Sequence, residues 1–326
     1  MAGLWVLGEV TAEGTLARIS GEVATFARGL AVEAGQEVAG VVVAADPSAA
    51  AAELATYLPR VLAVSDPAAA ERPWSFVAAE RIAGLLEPDT QEFMFVGAGP
   101  DGRDVAGSLA ALLGWGVLAN AIGATWKDGG PVVEMSVFGG RLKTTSRFTG
   151  PTGIVTVRPN VVTAEPSGST GKVEVVEAPV DELRQPAVRV IDRVVEAGTA
   201  APIEEAKIIV AGGRGMGGSE GFKLVEELAE VLGGAVGATR AAVDAGWIPY
   251  GQQIGQTGKI VKPQLYLALG ISGAIQHKVG MQTADTIVAV NRDPDAPIAD
   301  FADLVVIGDL FEVGPALLAE LRARSG

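Results

Sequence analysis

The sequence predicts an α/β protein with two domains, each built on a mostly parallel β-sheet. Short runs rich in β-branched residues alternate with helix-like segments, which is typical of βαβ units. The alternation of strand-like and helix-like segments is interrupted by the linker-like residues 197–202 and begins again at Lys207. A length of 326 residues also favours about two domains. We therefore expect one domain in residues 1–200 and a second, doubly wound domain in residues 201–326.

The first domain is predicted from five apolar runs of strand length. They are Leu4–Leu7, Val38–Val43, Val61–Val64, Phe93–Val96 and Ile154–Val157. Helix-like spacing is found in Ala24–Val32 and Val105–Leu113, and a short helix is predicted for Val188–Val195. Two further segments, Met135–Val137 and Thr144–Arg147, predict a hairpin joined through Gly139 and Gly140. Asp101, Arg103 and Asp104 follow a strand and are interpreted as a solvated cluster at the start of a helix, in preference to a ligand site.

The second domain is predicted from a further set of short apolar strands. They are Ile208–Ala211, Ala235–Ala238, Leu265–Leu269, Ile287–Val290 and Leu304–Ile307. After the first of them, Ser219 is a candidate N-cap for a helix that Gly233 ends. The apolar face of that helix is Phe222, Val225, Leu228, Ala229 and Leu232, and Leu317, Leu318 and Leu321 indicate a closing helix.

Composition excludes several kinds of chemistry. The absence of cysteine excludes thiolate metal sites, iron–sulfur clusters and cysteine nucleophiles, and a single histidine, His277, excludes multi-histidine metal sites. A net charge of −14 argues against binding nucleic acid. No apolar run has the length of a membrane span, and the N-terminus does not resemble a signal or transit peptide. We therefore expect a cytoplasmic protein without membrane insertion, in which any redox chemistry depends on an organic cofactor.

A glycine-rich loop follows the first strand of the second domain. Gly213–Gly218 satisfies the G-x-G-x-x-G pattern between a strand and a helix, where backbone amides can approach a pyrophosphate. An NAD(P)-dependent dehydrogenase would also need an acidic residue after the next strand, and Thr239 and Arg240 stand there instead. A tight turn without a ligand is the plain alternative. The loop alone therefore does not identify a cofactor.

Polar residues gather directly after the strands of the second domain. They include Thr239, Arg240, 255–259, 272–277, Asn291 and Asp309. Because the carboxyl ends of parallel strands border one crevice, these residues are expected to share a site. Donor groups predominate among them, so the expected ligand is anionic.

These segments resemble the signature of electron-transfer flavoprotein α-subunits. The resemblance is carried by Leu265–Gly280, Ala289–Asn291, Val236–Asp244 and Ile254–Lys259, in this order and spacing. Together they cover nearly all of residues 207–326, whereas the N-terminal half agrees in general pattern only. The resemblance implies that the second domain binds FAD.

The resemblance also implies roles for individual residues. Arg240, Thr257 and His277 would tune the flavin: Arg240 near the ring, Thr257 near N5, and His277 at O2. The full implied cofactor-binding set is Arg214, Thr239, Arg240, Ile254, Gly255, Gln256, Thr257, Ser272, Gly273, Ala274, Ile275, Gln276, His277, Asn291, Asp309 and Leu310. His277 and Arg240 would stabilise an anionic semiquinone by placing positive or donating groups beside it. Asp309 also has a plain interpretation as a helix cap.

The family further implies an electron carrier, which is not a self-sufficient enzyme. It would form a heterodimer with a β-subunit that holds AMP or a second FAD. Electrons would come from flavin dehydrogenases, such as acyl-CoA dehydrogenases of fatty acid β-oxidation, and would go to a membrane quinone oxidoreductase or another acceptor. A bifurcating version of the complex, an NAD(P)-dependent Rossmann dehydrogenase and a non-redox assembly protein stay open as alternatives.

Overall fold

A computed structural model describes residues 3–86, 92–137, 142–178, 188–192 and 203–325. The described residues form two compact units, one within residues 3–192 and the other within residues 203–325. The predicted boundary between residues 200 and 201 lies outside the described residues. Each unit contains its own β-sheet, and the predicted α/β class with two mostly parallel sheets is confirmed.

The sheet of the first unit has nine described strands in the order β7-β6-β5-β8-β4-β1-β2-β3-β9. The strands are β1 (Leu4–Gly8), β2 (Val38–Ala44), β3 (Arg60–Ser65), β4 (Glu92–Gly97), β5 (Val117–Lys127), β6 (Gly130–Val137), β7 (Leu142–Arg147), β8 (Thr152–Val157) and β9 (Lys172–Val175). The helices are α1 (Arg18–Ala34), α2 (Ser48–Leu54), α3 (Ala68–Glu71), α4 (Trp74–Leu85) and α5 (Pro100–Leu113). Only β5–β6 and β6–β7 pair antiparallel among these strands.

The central strands of this sheet are apolar at consecutive positions because both faces are covered. Leu4 and Val6 of β1 point into one buried cluster, whereas Trp5 and Leu7 point into another. Successive side chains of a strand face opposite sides, so a strand between two helical layers needs apolar residues at every position. This explains why the sequence shows runs here instead of alternation.

Several predictions for the first unit need correction or completion. The five predicted strands are present, and β6 pairs antiparallel with β7 as expected for the hairpin, whereas its predicted connection through Gly139 and Gly140 lies outside the described residues. Strands β5 and β9 were not predicted. Residues 188–192 have no regular secondary structure, so the short helix predicted from Val188 is wrong over these residues. The remainder of that segment, 193–195, lies outside the described residues. Asp101, Arg103 and Asp104 are exposed on the first turns of α5, as the solvated-cluster interpretation expects.

The first unit fills its switch point with its own residues. The switch point lies between β1 and β4, because β2 pairs with β1 on the other side. Glu9, which directly follows β1, is only 6% exposed. Its Oε1 would lie 2.5 Å from a Cβ added at Gly97 and 2.7 Å from one added at Gly102. The carboxylate therefore packs against the end of β4 and the first turn of α5, where a helix favours negative charge.

The second unit is a doubly wound sheet of six described strands in the order β12-β11-β10-β13-β14-β15, all parallel. The strands are β10 (Ile208–Gly212), β11 (Ala235–Thr239), β12 (Gln253–Ile254), β13 (Leu265–Leu269), β14 (Thr286–Asn291) and β15 (Leu304–Ile307). The helices are α6 (Ser219–Leu232), α7 (Arg240–Asp244), α8 (Ile275–Met281) and α9 (Leu310–Ser325). Buried clusters on the two faces contain residues of α6, α7 and α9 on one side and of α8 on the other.

Two details of the second unit differ from the sequence prediction. Helix α6 begins at Ser219 with Gly218 as its N-cap and without a side-chain capping bond, so the prediction of Ser219 as N-cap is wrong by one position. Strand β12 was missed because two residues are too short for a periodic signal. Gly233 does end α6, with a left-handed φ of 64°. None of the described helices is long and apolar enough to cross a membrane.

Candidate functional site

The carboxyl ends of all six strands of the second unit border one cavity of about 720 Å³. We call it the strand-end cavity, and its volume lies in the range of small-molecule and cofactor sites. Its switch point is between β10 and β13, since β11 and β14 continue the sheet in opposite directions. In open parallel sheets this is the position where ligands bind.

Every residue of the predicted cofactor-binding set except Ile275 lines the strand-end cavity. By strand, they are Arg214 after β10; Thr239 and Arg240 at β11; Ile254, Gly255, Gln256 and Thr257 at β12; Ser272, Gly273, Ala274, Gln276 and His277 after β13; Asn291 at β14; and Asp309 and Leu310 after β15. Ile275 begins α8 with 64% of its surface exposed. The structure thus brings together residues that are up to 96 positions apart in sequence, Arg214 and Leu310.

Thr239 supplies evidence that the cavity is built for a polar ligand. Its Oγ1 is buried and has no hydrogen-bond partner among the described residues. A buried hydroxyl without a partner costs about 1–3 kcal/mol, so such atoms are uncommon in folded proteins. A ligand acceptor or donor beside Thr239 would remove this cost.

Arg240 stands at the mouth of the cavity and is held by a neighbour in the same helix. Its Nε donates to Asp244 Oδ2 at 3.1 Å, one turn along α7. Both side chains are about two-thirds exposed, at 66% and 62%, so this ion pair contributes little to stability. The guanidinium is therefore available to an anionic ligand at small cost.

The carboxylates that line the cavity are engaged in local bonds. Asp309 Oδ1 accepts from the amide of Phe311 at 2.8 Å, which caps the start of α9. Asp293 Oδ1 accepts from the amide of Asp295 at 3.0 Å. With Asp244 bound to Arg240, each of the three lining carboxylates has a hydrogen-bond partner in the chain. The lining arginines, which also include Arg214 and Arg292, favour an anionic ligand.

Thr257 reaches the cavity from the turn after β12. Its Oγ1 accepts a hydrogen bond from Nε2 of Gln253 at 3.1 Å, and its backbone carbonyl accepts one from the hydroxyl of Tyr250 at 2.8 Å. Gly255 allows this turn, because its φ is 141° and a Cβ there would lie 2.8 Å from the carbonyl oxygen of Gln276. The turn is thus fixed on both sides of the threonine.

His277 lies on α8, is 6% exposed, and has both ring nitrogens bonded inside the protein. Nδ1 is 3.0 Å from the carbonyl oxygen of Ile254, which can only accept, so Nδ1 carries a proton. Nε2 is 2.9 Å from the hydroxyl of the fully buried Tyr266. Burial raises the pKa of Tyr266 well above its usual value, so the phenol keeps its proton and donates it to Nε2.

Burial lowers the pKa of His277 to about 4, and the bond to Ile254 only partly opposes this. The ring is therefore neutral at pH 7 in the chain alone. A raised pKa is expected for the His277 imidazole only when an anion is bound beside it, because the negative charge would act against the effect of burial. In this arrangement the ring of His277 carries no permanent positive charge and uses both of its nitrogens inside the protein, so a hydrogen bond from His277 to a ligand requires one of these bonds to be exchanged.

The glycine-rich loop after β10 has a packing role that the sequence pattern did not reveal. A Cβ at Gly213 would meet the backbone oxygen of Gly270, and one at Gly215 would lie 2.7 Å from the Cα of Gly270. The amide of Gly215 donates to the carbonyl of Gly270 at 3.0 Å. Gly213 and Gly215 thus allow the loops after β10 and β13 to touch, so the first two glycines of the G-x-G-x-x-G pattern are explained by packing, without a nicotinamide cofactor.

Some lining residues were missed by sequence reasoning. They include Ala241, Asp244, Arg292, Asp293, Gly308 and Phe311. Arg292 and Gly308 directly follow the ends of β14 and β15, so the rule that found Asn291 and Asp309 would also have found them. Asp244 lies one helical turn after Arg240, a spacing that also signals an ion pair. Tyr266 and Gln253 gave no such signal, because their roles depend on which side of the sheet they occupy.

Comparisons with known proteins agree with this geometry. The Electron transfer flavoprotein domain matches residues 4–183, and the Electron transfer flavoprotein FAD-binding domain matches residues 202–282. The chain is 44% identical over 326 residues to the electron transfer flavoprotein subunit alpha of Mycobacterium tuberculosis (strain CDC 1551 / Oshkosh), with 100% of both chains covered. It is 37% identical to the subunit alpha of Bacillus subtilis (strain 168), covering 97% of this chain and 96% of that protein. It is also 37% identical to Protein FixB of Clostridium saccharobutylicum, covering 98% and 96%.

Both halves of the chain thus match one family, and its full-length relatives align from end to end. The chain belongs to the electron transfer flavoprotein α-subunit family.

Proposed function

We propose that the strand-end cavity binds FAD and that the chain works as the FAD-holding subunit of an electron carrier. The observation that carries this proposal is the convergence of six strand ends on one cavity, with Thr239 Oγ1 buried and without a partner. When bound, FAD supplies the electron-carrying chemistry, since its ring can accept and release electrons one at a time. The residues of the chain bind it, orient it and set its potential.

The donor set fits the parts of this dinucleotide. Arg214 is part of the glycine-rich loop at the switch point, which is the usual place for a diphosphate. Arg240 lines the cavity after β11, Thr257 lines it after β12, and His277 lines it from α8. We assign all three to the flavin ring. Groups that donate or carry positive charge there favour the reduced ring, because negative charge develops on it.

The proposal extends to partners. A β-subunit that holds AMP or a second FAD would complete a heterodimer in the cytoplasm, and residues 1–200 would provide the contact domain and 201–326 the FAD domain. Dehydrogenases such as those of fatty acid β-oxidation would donate electrons, and a membrane quinone oxidoreductase would accept them. A bifurcating complex is the second candidate, favoured if the β-subunit holds FAD instead of AMP.

The full chain purified together with its β-subunit tests this proposal. We expect a yellow complex with one FAD per α-chain, which a dehydrogenase reduces and which NADH alone does not reduce. A colourless complex that gains no flavin after incubation with FAD contradicts the proposal. Direct reduction of the isolated full chain by NAD(P)H favours the dehydrogenase alternative.

A variant of His277 tests the assignment of the flavin end of the cavity. If His277 exchanges one of its internal bonds for a bond to the flavin, His277→Ala removes that bond, so the first one-electron potential of bound FAD should fall, by about 59 mV if the interaction is worth a factor of ten. The potential is measured by spectroelectrochemistry with FAD bound. An unchanged potential removes His277 from this role.

A further inference from the structure

Gln253 lies behind the wall of the strand-end cavity and does not line it. It belongs to β12 and is 2% exposed. Its backbone carbonyl accepts from the amide of Lys259 at 2.7 Å, which ties β12 to the far side of the turn. The side-chain amide is therefore held at a fixed place next to Thr257.

The bond between Gln253 and Thr257 decides where the threonine proton can go. The amide Nε2 of Gln253 can only donate, so Thr257 Oγ1 accepts at 3.1 Å. A hydroxyl has one proton, and with its oxygen accepting from behind, that proton is directed elsewhere. Because Thr257 lines the cavity and is exposed, its proton is open to an acceptor on a ligand bound there.

The backbone around Thr257 is fixed as well. Tyr250 donates its hydroxyl to the Thr257 carbonyl at 2.8 Å, and the amide of Gly258 donates to the carbonyl of Gly255 at 3.1 Å. A Cβ at Gly258 would collide with the backbone oxygen of Gln253, so the turn closes directly onto β12. The hydroxyl thus starts from a defined position before any ligand is bound.

We propose that Gln253 is a positioning residue that holds Thr257 as a hydrogen-bond donor toward an electron-accepting ring in the strand-end cavity. This proposal rests on the proposed function, because it requires FAD in the cavity. A preorganised donor stabilises charge that develops at its target without reorganising during the reaction. An oxygen that already accepts a hydrogen bond is also polarised and donates more strongly.

Reversing the polarity of this bond is the sharpest test. Gln253→Glu keeps the size of the side chain but presents acceptors only, so the Thr257 hydroxyl would turn inward and donate to the carboxylate. Thr257→Val removes the hydroxyl at nearly constant shape. Both changes should lower the tendency of bound FAD to take its first electron about tenfold, or about 59 mV for a one-electron couple. Gln253→Glu should lower it somewhat further, because it adds negative charge.

A double variant separates positioning from the through-space effect of the new charge. In the Thr257→Val background, Gln253→Glu can act only through its charge. We therefore expect the fall in potential caused by Gln253→Glu to be about 59 mV smaller there than in the wild-type background, which is a factor of ten in the one-electron equilibrium. Equal effects of Gln253→Glu in the two backgrounds overturn the proposal.

A neutral variant keeps the proposal testable if the buried carboxylate prevents folding. Gln253→Leu leaves the threonine oxygen without its donor, so the potential should fall when Thr257 is present and stay unchanged in the Thr257→Val background. A fall of the same size in both backgrounds, or no fall in either, overturns the positioning role.

The readouts separate this proposal from the proposed function. FAD stoichiometry and affinity are measured for each heterodimer before its potential. If the unsubstituted complex binds no FAD, the proposed function fails and the positioning role fails with it. If all variants bind FAD and their effects on the potential add, only the positioning role is overturned.

Discussion

The two units share a sheet type but treat their switch points in opposite ways. In the first unit, the Glu9 carboxylate is buried against Gly97 and Gly102, at the place where a ligand would meet the start of α5. In the second unit, the corresponding crevice is the strand-end cavity of about 720 Å³. A parallel sheet with a switch point is therefore not itself a binding site.

Side chains account for this difference. The first unit fills the space at its switch point with the Glu9 side chain, whose backbone amide donates to Ser20 Oγ at 2.8 Å. At the neighbouring strands β5 and β8, the amide of Asn120 donates to Thr156 Oγ1 at 2.9 Å. The second unit leaves Thr239 Oγ1 without a partner among the described residues. Fold alone thus gives the location of a possible site, and the side chains decide whether it is used.

The largest expected effect concerns His277, a buried side chain of the second unit whose pKa is lowered toward the acidic range. Its pKa is lowered from 6.5 to about 4 in the folded chain, which corresponds to roughly 3 kcal/mol of unfolding free energy. The unfolded state binds the extra proton first, so this stability is fully present above pH 6.5 and is lost as the pH falls toward 4. Urea unfolding of the second unit at a series of pH values measures it.

His277→Gln is the control for this experiment, because it removes the titrating group and should flatten the pH dependence in this range. As the chain has one histidine, nitrogen-15 NMR of the ring also gives the pKa and the tautomer directly. A pKa near 6.5, or a proton on Nε2 instead of Nδ1, would contradict the buried arrangement with Ile254 and Tyr266.

The next effect tests whether the first unit is closed by packing. Gly102→Ala places a methyl against the Gly97 carbonyl and Glu9, and should lower the unfolding free energy by about 1–3 kcal/mol. Gly107, in the same helix α5, has no atom within 4 Å of an added Cβ. Gly107→Ala should therefore raise stability by about 0.5–1 kcal/mol, since alanine is the better helix former. Equal effects at both positions would mean that the crevice is not tightly filled.

A third pair of variants compares two threonines. Thr239→Val removes a buried hydroxyl without a partner, so the FAD-free chain should be as stable as before or gain up to about 1 kcal/mol. FAD binding should weaken about fivefold, because a neutral hydrogen bond contributes about 1 kcal/mol. Thermal unfolding and a FAD titration measure the two effects.

Thr156→Val is the matched change in the first unit. Thr156 is 3% exposed and accepts from the Asn120 amide, so the variant should lose about 1–3 kcal/mol of stability while its FAD affinity stays unchanged. If both variants lose stability equally, the Thr239 hydroxyl has a hydrogen-bond partner in solution, and the empty cavity does not carry the cost of an unpaired buried hydroxyl.

The smallest effect concerns the ion pair at the cavity mouth. Asp244→Asn frees Arg240 for an anionic ligand, so FAD affinity should rise by less than about fivefold, in line with the small worth of exposed pairs. The gain should shrink as ionic strength rises. Asp128→Asn, which breaks the similarly exposed pair with Arg147 in the first unit, is the control and should leave FAD affinity unchanged.

Much of the fold was predictable because buried parallel strands give apolar runs. Ile208–Ala211 and Leu265–Leu269 were identified in this way, and the polar residues after them followed from the rule that strand ends share a crevice. Strand β5, between β6 and β8, and the edge strand β9 were missed since most of their residues are exposed or half-buried and lack such runs. Helix starts are decided by single hydrogen bonds, and Gly218, not Ser219, is the N-cap of α6.

The site was predictable in its members but not in its internal bonds. Arg240, Thr257 and His277 were expected to line one site, and the structure places all three at the strand-end cavity. The bonds from Gln253 to Thr257 and from Tyr266 to His277 join residues whose spacing in sequence has no regular meaning. Gln253 meets Thr257 because β12 runs next to the turn that carries the threonine, and Tyr266 meets His277 because β13 runs next to α8.

The contact of Gly213 and Gly215 with Gly270 joins the two halves of the sheet backbone to backbone. One half carries the loop after β10, and the other carries the loop that leads to Ser272 and His277. A methyl group at this seam would wedge the halves apart and displace both walls of the cavity together. The three glycines therefore fix how closely the two loops approach each other, and two of them, Gly215 and Gly270, also form part of the cavity wall.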